Sequence, residues 1–349
     1  MPGSGYHGGV RPLILVLPAW SALPAWPALW ASAITFAWGC AGAPPPEVVE
    51  IEREVAGIYL RIHTRDGNAT RSHIAIESAF TEAERVADQL LAGRMGSEIS
   101  ILNSVPSHVA IEVAPETAEA IRLARRVAED TGGAFDPTLL PLLRLWGLID
   151  GEPHVPRDYE ITSMLRRVDW QEVEVEDDAP VVQRTARSTQ VDLMGVARGA
   201  VIDAALAVLA QAGVPAARVG DDDITAVYGG TPNHQWLVPV SVPDNSVRAI
   251  VRITDGAMAM LWPHQSITTN DGSVIHELID PRSGRPATHN ALVVVTASDA
   301  RSAAAYARAL FVMHEGARAF LQKRSQLQAV ILPANGQAWS SPEINLSWQ

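Results

Sequence analysis

No charged residue stands between Arg11 and Glu47. That stretch carries Leu13, Ile14, Leu15, Val16 and Leu17, then Trp20, Trp26, Trp30 and Trp38, so four of the ten tryptophans fall in the first 40 residues. A basic residue followed by an apolar run reads as a secretory signal. Its length would permit a membrane span, but Pro18, Pro24 and Pro27 oppose a continuous helix. The chain is therefore expected to divide into a leader (1–39), a short tether (40–47) and one folded body (48–349).

The apolar run ends at Ala37-Trp38-Gly39-Cys40, followed by Ala41-Gly42-Ala43 and three prolines. A lone cysteine among small residues after such a run matches a bacterial lipoprotein cleavage site. Cys40 would then carry the lipid anchor. The alternative is a plain signal or an uncleaved anchor, with Cys40 incidental. Either way the body is expected to be exported and periplasmic. One cysteine in 349 residues excludes an intramolecular disulfide framework and any multi-cysteine zinc or iron–sulfur site. A net charge of −12 argues against nucleic acid as a partner.

Within the body, Val48 to Thr64 reads as extended, with β-branched residues alternating with charge. Asp66-Gly67 is a turn signal. Thr81-Glu82-Ala83-Glu84 has the pattern of a capping box, which predicts a helix start there. Helical spacing recurs from Pro115 until Gly132-Gly133 stops it, and again from Ala197 to Gln211. Strands are expected at 236–242, 247–253 and 291–297. Helices are expected at 301–314 and 316–323, and a final strand at 329–332. The stretch from Gly151 to Thr185 is charged and is expected to be peripheral. Helices and strands mix without strict alternation, which predicts an α+β fold.

Three turns carry most of the polar chemistry. In Thr131-Gly132-Gly133-Ala134-Phe135-Asp136-Pro137-Thr138, two glycines let the backbone turn closely, and Pro137 holds Asp136 extended. The bland reading is a helix end followed by a turn. In Val191-Asp192-Leu193-Met194-Gly195-Val196-Ala197-Arg198-Gly199, a glycine-bearing turn opens a helix, whose free N–H groups suit a phosphate, and Arg198 adds a cation. The alternative is that Asp192 caps the helix while Gly195 and Gly199 serve packing. The third turn is Ile279-Asp280-Pro281-Arg282-Ser283-Gly284-Arg285-Pro286, an ordinary loop if it stood alone.

In this order, with Ser97-Glu98-Ile99-Ser100-Ile101-Leu102-Asn103 before them and Ala309-Leu310-Phe311-Val312-Met313 after, these segments resemble the FAD:protein FMN transferase (ApbE-like) family. The resemblance spans about residues 50–335. It implies an α+β fold of mixed or antiparallel sheets with packed helices. It also implies FAD as substrate, Mg²⁺ as cofactor, and transfer of FMN to a Thr or Ser hydroxyl of a partner, typically a membrane-associated redox subunit. By the same resemblance Ala134, Phe135, Asp136 and Asp192 would contact flavin. Arg198 would stand where the family has Lys beside the pyrophosphate, and Gly195 would offer a backbone contact to the metal.

Other positions depart from the family. Its late helix places an Asp and a Thr on magnesium, where this chain has Ala304 and Arg308. Alanine offers no oxygen and a guanidinium repels a cation. Its Asn-x-Gly-Gly-Asp turn is Val219-Gly220-Asp221-Asp222-Asp223. Its Ser-His falls on His276-Glu277, so His276 is either a shifted catalytic counterpart or a surface histidine with satisfied hydrogen bonds. Three readings follow. Arg308 replaces the metal as a fixed cation, or Asp221 to Asp223 rebuild a metal site, or the chain keeps the fold as a flavin- or partner-binding lipoprotein without catalysis.

Overall fold

The computed structural model describes residues 47–241, 247–263, 266–269, 272–289, 291–333 and 337–349. The leader, Cys40 and nearly all of the expected tether lie outside the described residues. The expected α+β fold is present. An eight-stranded sheet runs in the order Glu47–Val55, Ile58–Asp66, Ala216–Gly220, Ile224–Tyr228, Gly256–Leu261, Leu292–Ala297, Gln328–Leu332 and Trp339–Ser340. Every neighbouring pair is antiparallel.

The segment expected to be extended is a hairpin, closed at Ala56-Gly57. Both turn residues have positive φ, which matches the right-handed twist of the flanking strands. Glu50, Glu52 and Glu54 alternate along the first strand, and Arg61 of the second pairs with Glu52.

The central strands are buried on both faces. Ala257, Ala259, Val293 and Val295 pack with the helices, while Met258, Met260, Leu292 and Val294 pack against a second sheet. That smaller sheet joins Leu346–Trp348, Val247–Ile253 and Trp236–Ser241. The body is thus three layers: helices, main sheet, small sheet. The strand at Gln328–Leu332 does not close the chain as expected, since two further strands follow it.

The helices are α1 (Ala69–Leu90), α2 (Glu98–Ser104), α3 (Pro115–Asp130), α4 (Leu140–Leu145), α5 (Asp158–Leu165), α6 (Met194–Gln211), α7 (Ala300–Met313) and α8 (Gly316–Leu321). Helix α1 starts well before the capping-box pattern at Thr81. Asn68 caps it by accepting from the Arg71 N–H, and Thr81 Oγ1 instead donates to the Glu77 carbonyl one turn back. The local pattern was present, but the preceding turn supplied a better start.

Helix α6 is mostly apolar, and Val196, Ala197, Val201, Ile202, Ala205 and Leu209 bury one side of it in the core. It meets the start of α7 at Gly199, where a Cβ would lie 2.4 Å from the Arg301 nitrogen. Only glycine lets the two backbones approach this closely.

The segment 151–185 is not peripheral. It holds α5, a 3₁₀ turn at Trp170–Glu172, and the strands Val173–Val175 and Val181–Arg184. Ile161, Val173, Val182 and Arg184 are buried. Its charge decorates one face, while a few apolar residues anchor the other.

Candidate functional site

The first turn begins where α3 ends. Gly132 and Gly133 both have positive φ, and the Gly133 N–H donates back to the Ala128 carbonyl, which closes the helix. The chain then dives inward, and Ala134 and Phe135 are almost fully buried. Asp136 Oδ1 accepts from the Thr138 N–H at 2.8 Å and from the Thr138 hydroxyl at 2.6 Å. Its Oδ2 accepts from the Trp170 N–H at 3.3 Å, and Thr138 Oγ1 accepts from the Asp169 N–H. The carboxylate direction is therefore set by the turn after Pro137 and by the segment expected to be peripheral. Burial pushes the Asp136 carboxyl up to about 6, against the pull of these N–H and O–H donors.

The second turn is pinned from the side. Asn103, at the end of the Ser-Glu-Ile-Ser segment, donates to the Val191 carbonyl and accepts from the Val191 N–H. Arg184, 3 % exposed, ties the same region together by donating to the carbonyls of Leu102, Asn103, Val105 and Thr189. Sequence reading passed over Arg184, because a charged residue in a charged segment gives no signal of burial.

The Asp192 N–H donates to the Pro137 carbonyl at 2.7 Å, which joins the first turn to the second. Asp192 Oδ1 accepts from the Met194 N–H, the first of α6. Burial raises the Asp192 carboxyl above its ordinary range, while the Met194 N–H and the Arg308 and Arg144 cations oppose that rise. Gly195 occupies the first turn of α6. A side chain there would meet Phe135 Cε2 at 2.7 Å and Arg308 Nε at 3.4 Å. Phe135, Gly195 and Arg308 therefore share one small space beside Asp192.

Arg198, one turn further along α6, is already paired. It donates from Nη2 to Asp221 Oδ2 at 2.6 Å and to Asp223 Oδ2 at 3.1 Å. Asp221 Oδ1 also accepts from the Asp223 and Ile224 N–H groups. Burial works against the Arg198 charge, but the two carboxylates outweigh it and hold its pKa above the usual value. The aspartates thus neutralise Arg198 rather than forming a metal site. Their loop lines a cavity of about 430 Å³ with Arg61, Arg218 and Trp262, and none of Asp136, Asp192, Arg198 or Arg308 lines it.

A divalent cation does not fit this end of α6. It would need several oxygen ligands. The α7 side chains on the facing turn are Ala304 and, one turn on, Arg308, whose guanidinium reaches Gly195. Among the described residues no group of three or more His, Cys, Asp or Glu gathers to hold a metal.

The third turn is a small hairpin, Ile279–Asp280 with Arg285–Pro286. Asp280 is engaged by Arg282, and the Gly284 carbonyl accepts from Trp146 Nε1. Ile279 shares a minor core with Leu139, Leu142 and Trp146, which follow Asp136. His276, just before this turn, is satisfied but is buried rather than on the surface. Its Nε2 donates to the Ala287 carbonyl and its Nδ1 accepts from the Leu278 N–H. Both its ring nitrogens are thus engaged by the backbone. Glu277 beside it acts electrostatically on Arg308, a role that was not read from the sequence.

Residues 56–331 match the ApbE family. The FAD:protein FMN transferase of Escherichia coli K12 is 26 % identical over 342 residues, covering 90 % of this chain and 95 % of that protein. The FAD:protein FMN transferase of Treponema pallidum is 26 % identical, covering 76 % of this chain and 78 % of that protein. The ApbE protein of Thermotoga maritima superposes with a TM-score of 0.76 at 25 % identity, over 85 % of this chain and 97 % of that one. The flavin transferase ApbE of Vibrio cholerae shares the fold at a TM-score of 0.74 and 23 % identity, over 85 % and 98 % of the two chains.

Proposed function

The chain belongs to the ApbE family, and from that premise we propose that it acts as a FAD:protein FMN transferase. FAD is the donor and a Thr or Ser hydroxyl of a partner protein is the acceptor. The acceptor oxygen bonds to the flavin-side phosphorus, the bridging P–O bond of the diphosphate breaks, AMP leaves and the hydroxyl proton is released. Ala134, Phe135, Asp136 and Asp192 form the flavin side of the site. The observation that carries this reading is the Asp192 N–H to Pro137 carbonyl bond. It sets the Ala-Phe-Asp turn against the start of α6, where the Gly195 N–H, without a partner among the described residues, and the helix dipole favour a phosphate.

The partner in this reading is a membrane-associated redox subunit. The protein reaches it as an exported, periplasmic lipoprotein attached through Cys40, after loss of residues 1–39. A second reading, flavin binding without transfer, is favoured by one observation: His276 is buried, and both its ring nitrogens are held by backbone groups.

The test is incubation of the full chain with FAD and a candidate acceptor, read as flavin fluorescence on the denatured acceptor band together with release of AMP. A fluorescent band supports transfer. FAD binding without a band supports the second reading, and absence of flavin binding overturns both.

A further inference from the structure

Arg308 is the anomaly of this site. It is largely withdrawn from solvent at the start of α6. Among the described residues nothing hydrogen-bonds to it or pairs with it. Burial lowers its pKa, and the nearby charges of Glu277 and Asp192 offset that only in part, while Arg198 adds to it. Among the described residues the adjacent Gly195 N–H also has no partner, although the other N–H groups of that turn do. Met194 donates to Asp192, and Val196 and Ala197 both donate to the Leu193 carbonyl. A guanidinium with no partner among the described residues thus lies beside the first turn of α6, its Nε 3.4 Å from where a Gly195 Cβ would stand. Desolvating a cation is costly unless an anion completes the arrangement.

We infer that Arg308 binds the diphosphate of a flavin nucleotide in the place a divalent metal would take, so that this chain holds FAD without a metal. The inference rests on the flavin reading above. A planar guanidinium can engage two phosphate oxygens at once, which suits a diphosphate. Arg198 cannot serve this way while Asp221 and Asp223 occupy it. The positive charge offered to a ligand therefore comes from α7.

The experiment is titration of the full chain with FAD and, separately, riboflavin, in EDTA and in Mg²⁺, for the natural sequence, Arg308→Gln and Arg308→Lys. FAD affinity of the natural chain should change less than about two-fold between EDTA and Mg²⁺, whereas Arg308→Gln should lose about ten- to a hundred-fold. Arg308→Lys should recover part of that loss. Riboflavin, which has no phosphate, should bind the natural chain and both variants alike, a result that a merely structural role would not give. FAD binding that collapses in EDTA and returns with Mg²⁺ overturns the inference and leaves the flavin reading standing. Equal FAD affinity in Arg308→Gln also overturns it. If the natural chain binds neither flavin in either buffer, the flavin reading fails first. The EDTA comparison uses only the natural sequence, so it decides the question even if a variant does not fold.

Discussion

Arg198 and Arg308 stand near the same end of α6, and they are treated in opposite ways. Arg198 is enclosed by two carboxylates that are themselves buried, at 5 % and 13 % side-chain exposure. Arg308, like Arg198 partly withdrawn from solvent, has no partner among the described residues. A charge that is paired contributes to the fold, whereas a charge left unpaired in a mostly buried place weakens it. The difference marks which of the two is kept for folding and which for a ligand.

The contrast can be broken most forcefully at the helix crossing that sets the spacing. Gly199→Leu would place side-chain atoms into the α7 backbone and should cost about 3 kcal/mol, read as a large fall in the urea midpoint. Asp221→Gly restores the glycine of the family turn, removes one of the two carboxylates paired with Arg198, and removes the oxygen that accepts from the Asp223 and Ile224 N–H groups. It should destabilise by about 2 kcal/mol in the same assay. It should also leave Arg198 held by Asp223 alone, so that FAD affinity becomes less sensitive to Arg308.

Asp136 sharpens the comparison from the flavin side. Its carboxyl is pushed up to about 6, so the folded state holds a proton between about pH 4 and 6 that the unfolded state has already lost. Stability from this group therefore falls as pH rises through that window, and the full penalty is present above about pH 6. Asp203, pushed up to about 7 by burial, acts in the same direction. Asp136→Asn should flatten the pH dependence of the unfolding free energy over that window by on the order of 2 kcal/mol, and subtraction from the natural chain removes the Asp203 contribution. The smallest effect belongs to Arg308→Gln. It should leave stability unchanged or raise it by up to about 1 kcal/mol, the reverse of Asp221→Gly.

What the sequence made legible follows from where its signals are local. Helix α3 was bounded correctly because Pro115 and Gly132 punctuate a regular apolar face. The central strands Ala216–Gly220, Ile224–Tyr228 and Gly256–Leu261 were missed. Ala216–Gly220 and Gly256–Leu261 are mostly alanine, glycine and methionine and lack the β-branched signature, because small residues fit between their packed faces, whereas Ile224–Tyr228 carries Ile, Thr, Val and Tyr and its signal went unread. The ordered motifs identified the family, and most of the residues they pointed to lie close together.

The partners of those residues were not legible. Trp170 reaches Asp136 across 34 positions of sequence. The changes at Arg198 and at Asp221, separate departures from the family pattern, are one ion pair in space. Spacing within a motif reports local geometry, but compensation between distant positions appears only once the chain is folded.

The glutamates along the first strand bear on how the protein meets other molecules. Glu50, Glu52 and Glu54 line an edge of the main sheet that has no neighbour among the described strands. An exposed edge is a template on which another strand can add. Here a second copy approaching in register would bring carboxylates against carboxylates, so growth of the sheet by self-addition is disfavoured. Such an edge lets the sheet end in water without recruiting further strands.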